Sequence, residues 1–199
     1  MGARCLREHR SNGDLSEAST TLVIDSFAEL TLDVDPWPVF QISASAASYP
    51  FLLTEDDMTD LGALRLQSYL DSTGHLRDWA DSFVAGNPTD TLSLLKDICA
   101  GVATQIVYEV REEEYTQSPE QTLARGRGSC RDFAALFVDA VRSLGFGARI
   151  VSGYLHDAGA QTIGSSGSGS THAWAEVYVP GAGWITFDPT NRSVGDANL

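Results

Sequence analysis

Lysine is nearly missing from this chain. Of 199 residues 13 are basic, with Lys96 as the single lysine, against 27 acidic residues and a formal net charge of -14. A surface so poor in cations repels phosphate backbones and anionic headgroups, which argues against nucleic acid or a membrane as partner. Long apolar runs are missing too. No stretch approaches the roughly 18 consecutive apolar residues that span a bilayer, and the opening "MGARCLREHRSNGDLSE" lacks the apolar segment of a secretory leader. Cysteine is scarce: Cys5, Cys99 and Cys130 are the whole set. An odd number without a C-x-x-C pair makes neither a disulfide framework nor a structural zinc site. Reduced thiols in a soluble, cytoplasmic chain are the simpler expectation. Hydrophobic residues make up 43% of the sequence, enough for one well-packed domain with at most a small appendage.

Residues 1–19 are polar, without period, and are expected to be loose or disordered. In 20–48, "TTLVID", "ELTLDVD" and "VFQISASA" are short, β-branched and partly alternating, and read as two or three strands of a partial β region. Residues 49–199 carry the core. There "TEDDMTDLGALRLQSYLDS", "HLRDWADSFVAG" and "TDTLSLLKDICAGVATQIVYEV" read as helices, the last started by Thr89 or Asp90, with Leu92, Leu95, Ile98, Val102 and Ile106 near one face. Cys99, inside that helix, is expected to be an ordinary buried small residue. "REEEYTQSPEQTLARGRGS" reads as a polar connection to a helix that opens near Cys130. Phe133, Phe137, Ala140, Val141 and Leu144 form its apolar stripe. Asp132, Asp139 and Arg142 are expected to turn away, and Gly145 to end it. "ARIVSGYL" is a strand, "HDAGAQTIGSSGSGS" a mobile loop, and "THAWAEVYV" and "GWITFDPT" are strands joined by "PGAG".

The chemistry concentrates at "GRGSC". A helix N-terminus offers unpaired amides and a positive dipole end, and both favour a thiolate, the reactive form of cysteine. Gly126 and Gly128 are expected to let the chain turn sharply and a substrate approach. A cysteine nucleophile also needs a base. His9 lies in the polar start, His75 in a helix-start turn and His156 at the edge of the Gly/Ser loop, and none is favoured. His172 sits in a strand, with Trp174, Glu176 and Tyr178 on its own face and Asp188 at the end of the next strand. An aspartate beside a histidine fixes its tautomer and supports the imidazolium. Side chains alternate with period two, so an even hairpin loop would put His172 and Asp188 on opposite faces; an odd loop or a bulge between Val179 and Trp184 is expected.

These blocks together resemble the transglutaminase-like superfamily, and within it bacterial members described as candidate cysteine proteases. The resemblance rests on a G-x-C-R-D-F-A helix start, an H-A-W strand and a W-x-x-F-D-P-T-N strand, in order, over roughly residues 90–192. It implies a papain-like α+β fold, with a helix bearing the cysteine packed on an antiparallel sheet bearing the other two residues. It implies Cys130 as nucleophile, His172 as base and Asp188 as its orienting partner, acting on a peptide or protein substrate with no cofactor and no metal. "VIDSFAELTLDV" is similar to the family's D-x-F-G-N segment, with Ala28 and Glu29 in place of Gly-Asn. The family usually has further strands on both sides, whereas this chain ends 11 residues after Asp188, so an open sheet edge is expected behind that residue.

Covalent acyl chemistry through a thioester follows, with hydrolysis favoured over transamidation. A peptide-binding module without turnover is the alternative. Zinc held by Cys130, His172 and Asp188 is chemically conceivable, but the family pattern supplies no such site. The Cys130 amide is one oxyanion donor and Gln105 a weak candidate for another. Trp174 and Trp184 are candidates to line the cleft but are read first as core residues, Asp132 is read as a helix-start acid, and the 157–170 loop as a surface insertion ahead of a gate over the cleft. The oligomeric state is left open.

Overall fold

The helix that opens at Cys130 carries apolar side chains round most of its circumference, and the rest of the chain is arranged to enclose it. The computed structural model describes residues 38–111, 113–155 and 170–195. The elements run β1 (Ser48–Tyr49), α1 (Glu55–Leu61), α2 (His75–Asp81), β2 (Thr89–Asp90), α3 (Thr91–Gln105), β3 (Val107–Tyr108), α4 (Pro119–Arg125), β4 (Arg127–Gly128), α5 (Cys130–Ser143), β5 (Gly147–Leu155), β6 (Ser170–Val179), β7 (Gly183–Asp188) and β8 (Ser193–Val194). This is the expected papain-like α+β arrangement. Helices α2, α3 and α4 lie against α5 on one side, and the antiparallel sheet β5-β6-β7-β8 lies against the other. Among the described residues no helix is long and apolar enough to cross a membrane.

One face of the sheet packs on α5 by alternation from Ala175 to Val179, while at the site end both faces of β6 and β7 are buried. Ala175, Val177 and Val179 of β6 and Ile185 and Phe187 of β7 are buried with Leu136, Phe137 and Val141 of α5 in one core. The Phe137 and Phe187 rings meet at 5.3 Å. Each of the larger side chains among them, from valine upward, contributes about 1.5–3 kcal/mol by leaving water. Cys99 lies in this core, as expected, and burial pushes its thiol up to about 12. Asp90 caps α3 by accepting from the Ser93 amide at 2.8 Å. Gly145, with φ +99, turns the chain out of α5. The sheet edge behind Asp188 is partly covered, because β8 pairs Ser193 with Asp188 and Val194 with Phe187.

Several expectations are corrected. The helix over 54–72 stops after two turns: Gly62 takes φ +44, a single 3-10 turn follows at 62–65, and the chain then runs irregularly to Gly74. The second helix is short, ending at Asp81. "VFQISASA" forms no strand, because Ser43 donates to the Pro180 carbonyl and residues 44–46 turn. The polar connection contains α4, with Pro119 at its first turn and Ser118 and Gln121 capping each other. Asp132 and Asp139 do not face solvent; they are 0% and 1% exposed. The irregular stretch after α1 lies over that side of α5, and Asp139 accepts from the Ser68 and Tyr69 amides at 3.0 Å. Arg142 is drawn in beside it, donating to the Leu66 and Ala148 carbonyls. The expected loose start, the strands before residue 38, His9, His156 and most of the Gly/Ser loop lie outside the described residues.

Candidate active site

Cys130 is the first residue of α5, and Ser129 precedes it in extended geometry. The turn is fixed from beneath by Asp132. Its Oδ2 accepts from the Ser129 amide at 2.8 Å, the Ser129 hydroxyl at 2.9 Å, Arg111 Nη1 at 2.7 Å and Gln117 Nε2 at 3.1 Å; its Oδ1 accepts from the Gln117 amide at 2.8 Å. Burial pushes the Asp132 carboxyl up, but these donors and the Arg111 charge together hold it below the usual carboxylate range. Gly128, expected to leave room for a substrate, has another role. A Cβ there would instead sit 2.8 Å from Asp132 Cβ and 3.2 Å from Gln117 Nε2, so the missing side chain makes room for this buried cluster. Gly126, with φ +63, ends α4 and gives the sharp turn.

The β6–β7 hairpin closes with three residues, Pro180, Gly181 and Ala182, between Val179 and Gly183, which pair. The loop is odd, as the alternation argument required. Ala175 pairs with Phe187, which puts Asp188 in line with Trp174 and on the face of His172. His172 Nε2 lies 2.9 Å from Asp188 Oδ2, and His172 is 2% exposed. Asp188 is itself held: Oδ1 accepts from the Thr190 amide at 2.9 Å and the Asn191 amide at 3.2 Å, and Oδ2 accepts from Asn191 Nδ2 at 2.7 Å.

With Nε2 engaged, Nδ1 is the ring nitrogen left for Cys130. It is buried and closes no hydrogen bond of ordinary geometry, as catalytic contacts often do not until substrate is bound. The two side chains nonetheless act on each other. Burial pulls the imidazole down, but Asp188 and then Cys130 raise it to about 9. Burial likewise pushes the Cys130 thiol up, but His172, with the Ala173 and Arg131 amides, brings it below its ordinary value. Both shifts favour a thiolate beside an imidazolium.

Two further residues belong to this neighbourhood. Tyr108 on β3 is in parallel register with Gly128 on β4, and its ring meets Phe133 edge-on at 6.2 Å. Burial raises its hydroxyl pKa and the charge of Cys130 raises it again, so it stays protonated and able to donate. No motif marked it; only the β3–β4 pairing brings it here. Trp174 is half-buried, with its ring 6.3 Å from His172. Gln105 is an exposed residue whose side-chain oxygen accepts from Trp79 Nε1 at 2.8 Å. Trp184 is half-buried under Arg149 at 4.3 Å, and neither of these tryptophans is core. His75 is exposed at the start of α2.

Residues 77–189, more than half of the chain, match the model of the transglutaminase-like superfamily. The chain belongs to that superfamily. This transglutaminase-like chain is 28% identical to an uncharacterized protein of Mycobacterium tuberculosis over 193 residues, covering 92% of this chain and 60% of the relative. It is 43% identical to an uncharacterized protein of Mycobacterium leprae over 65 residues, 33% of this chain and 23% of the relative. Among solved structures it is similar to a candidate cysteine protease of Cytophaga hutchinsonii, with a TM-score of 0.56 and 22% identity, covering 77% of this chain and 50% of the other. That likeness is one of fold. The transglutaminase-like chain spans less than two thirds of the length of each of these relatives.

Proposed function

We propose that this protein breaks an amide bond of a peptide or protein substrate by cysteine-dependent acyl transfer, with Cys130 as nucleophile, His172 as acid and base, and Asp188 as the residue that orients and charges His172. The observation that carries the reading is the Cys130–His172–Asp188 alignment: a helix-start thiol lowered in pKa by a histidine whose far nitrogen lies 2.9 Å from a buried carboxylate. The Cys130 sulfur attacks the carbonyl carbon and the C=O electron pair moves to oxygen. The Cys130 amide and the Tyr108 hydroxyl are the donors at hand for that oxyanion. As the carbonyl re-forms, the C–N bond breaks, and the amine leaves with the proton from His172 Nδ1. Water then attacks the thioester, gives a proton back to His172, and releases the acid and the thiolate. Cys130 is only partly buried, so water has a path to the thioester, which favours hydrolysis over transfer to a second amine.

The test is iodoacetamide labelling from pH 5 to 9 with mass-spectrometric mapping, on the wild type and on His172→Ala. Cys130 should label at pH 6 at least tenfold faster than a free thiol, whose pKa is about 8.5. Cys99 should stay unlabelled while the fold holds. His172→Ala should remove the excess rate. A Cys130 that labels no faster than free thiol would sink the reading, and a glutamyl-amide substrate offered with and without a primary amine separates hydrolysis from transamidation.

A further inference from the structure

Gly153 of β5 stands directly across from His172 of β6. Its φ is outside the left-handed range, so the backbone alone does not call for glycine there. Trp174 does. A Cβ on Gly153 would lie 2.4 Å from Cη2 and 3.0 Å from Cζ3 of the Trp174 indole. The benzo ring therefore occupies the space of the missing side chain. Trp174 itself stands across from Val151, two residues away, so its indole leans diagonally across the strands toward the His172 row. Its plane is within 25° of the imidazole.

The strand on the opposite flank of β6, β7, is why that lean matters. The β6–β7 register puts Asp188 in line with Trp174, not with His172. The carboxylate must reach two residues further along β6, past the base of Trp174, to meet His172. An indole turned toward β7 would lie in that path. We infer that Gly153 is a positioning residue of this site: its bare backbone takes the Trp174 indole to the β5 side and leaves the diagonal between Asp188 and His172 open. The inference deepens the proposed function and rests on it only for the consequence in catalysis. Among the described residues, the charged or titratable groups facing His172 are Asp188 from β7 and Cys130 from α5. From β5 the residue opposite is Gly153 itself, which presents none.

The experiment is Gly153→Ala, Trp174→Phe and the double variant, read by NMR titration of the His172 ring nitrogens, with His172→Ala used for assignment. Gly153→Ala should lower the His172 midpoint by about one unit, because the hydrogen bond to Asp188 is what sustains it against burial. Phenylalanine lacks the outer ring of the indole, so the double variant should regain at least half of that shift relative to Trp174→Phe alone. A Gly153→Ala midpoint equal to wild type overturns the inference, and so does a double variant no better than the single. If Gly153→Ala fails to fold, a folded double variant supports the clash and an unfolded one refutes it. Iodoacetamide rates are measured separately. An unactivated Cys130 would defeat the proposed catalysis while the ring titration still decides the role of Gly153.

Discussion

Replacing Asp132 by asparagine tests the clamp beneath Cys130. The carboxylate is 0% exposed and accepts from the Ser129 amide and hydroxyl, both Gln117 donors and Arg111. The Arg111 side chain is 3% exposed, and its Nη1 lies 2.7 Å from Asp132. Asparagine keeps the shape but leaves the buried guanidinium with only the exposed Glu113 carboxylate at 3.4 Å, and turns an amide donor toward other donors. Breaking a buried pair from one side costs about 3–5 kcal/mol. That is a large share of the roughly 5–15 kcal/mol that holds a domain together, and for a chain of this length it lowers Tm by about 6–20 °C. Replacing Arg111 by methionine together with Asp132→Asn should cost less than Asp132→Asn alone, because no charge is stranded. The pH dependence follows from the direction of the shift. The Asp132 carboxyl is held below its unfolded value of about 3.9, so its contribution is full above that pH and is lost as pH falls through the folded value. Urea unfolding of wild type and Asp132→Asn from pH 7 to pH 3 should therefore give curves that converge only below about pH 4. A gap under about 1 kcal/mol at pH 7, or one that persists undiminished at pH 3, would refute the account.

Other perturbations have equally definite outcomes. Burial pulls the His172 imidazole down, while Asp188 and Cys130 raise it to about 9; Asp188→Asn should bring its NMR midpoint down by about 1–2 units toward the ordinary 6.5, and an unmoved midpoint would mean Asp188 is not its main support. Gly181, with φ +87, has no room for a side chain, since a Cβ would lie 2.5 Å from the Ser43 amide nitrogen. Gly181→Ala should cost about 1–3 kcal/mol by urea unfolding, and a neutral result would show that the 40–43 segment adapts.

Much of the core was legible in the sequence because its signals are local. The start of α5, the alternation of β6 and β7, the burial of Cys99 and the odd hairpin loop follow from period and from glycine placement. The bringing together of Cys130, His172 and Asp188 used the same arguments plus the family resemblance. What escaped depends on neighbours distant in sequence. Asp139 looks like a solvent-facing acid on α5, and only the irregular stretch at 66–70 makes it a buried acceptor. Tyr108 has no motif of its own and is placed by a two-residue parallel pairing. Helix α4 was readable, since Ser118, Pro119 and Gln121 spell a capped start, but the surrounding run of charge hid it. The helix over 54–72 failed for the opposite reason: its apolar spacing continues past Gly62, where the backbone cannot follow.

The three-residue turn at Pro180–Ala182 separates two things that are easily confused, the length of a loop and the register of a ladder. A residue added within the turn leaves Val179 paired with Gly183, and so leaves Asp188 on the face of His172. A slip of β7 along β6 by one residue is different: it turns every later side chain over, takes Ile185 and Phe187 off the core face and Asp188 off the face of His172. What this hairpin must keep is therefore its pairing rather than its residue count, and a slip would be felt first as lost folding, before any question of chemistry arose.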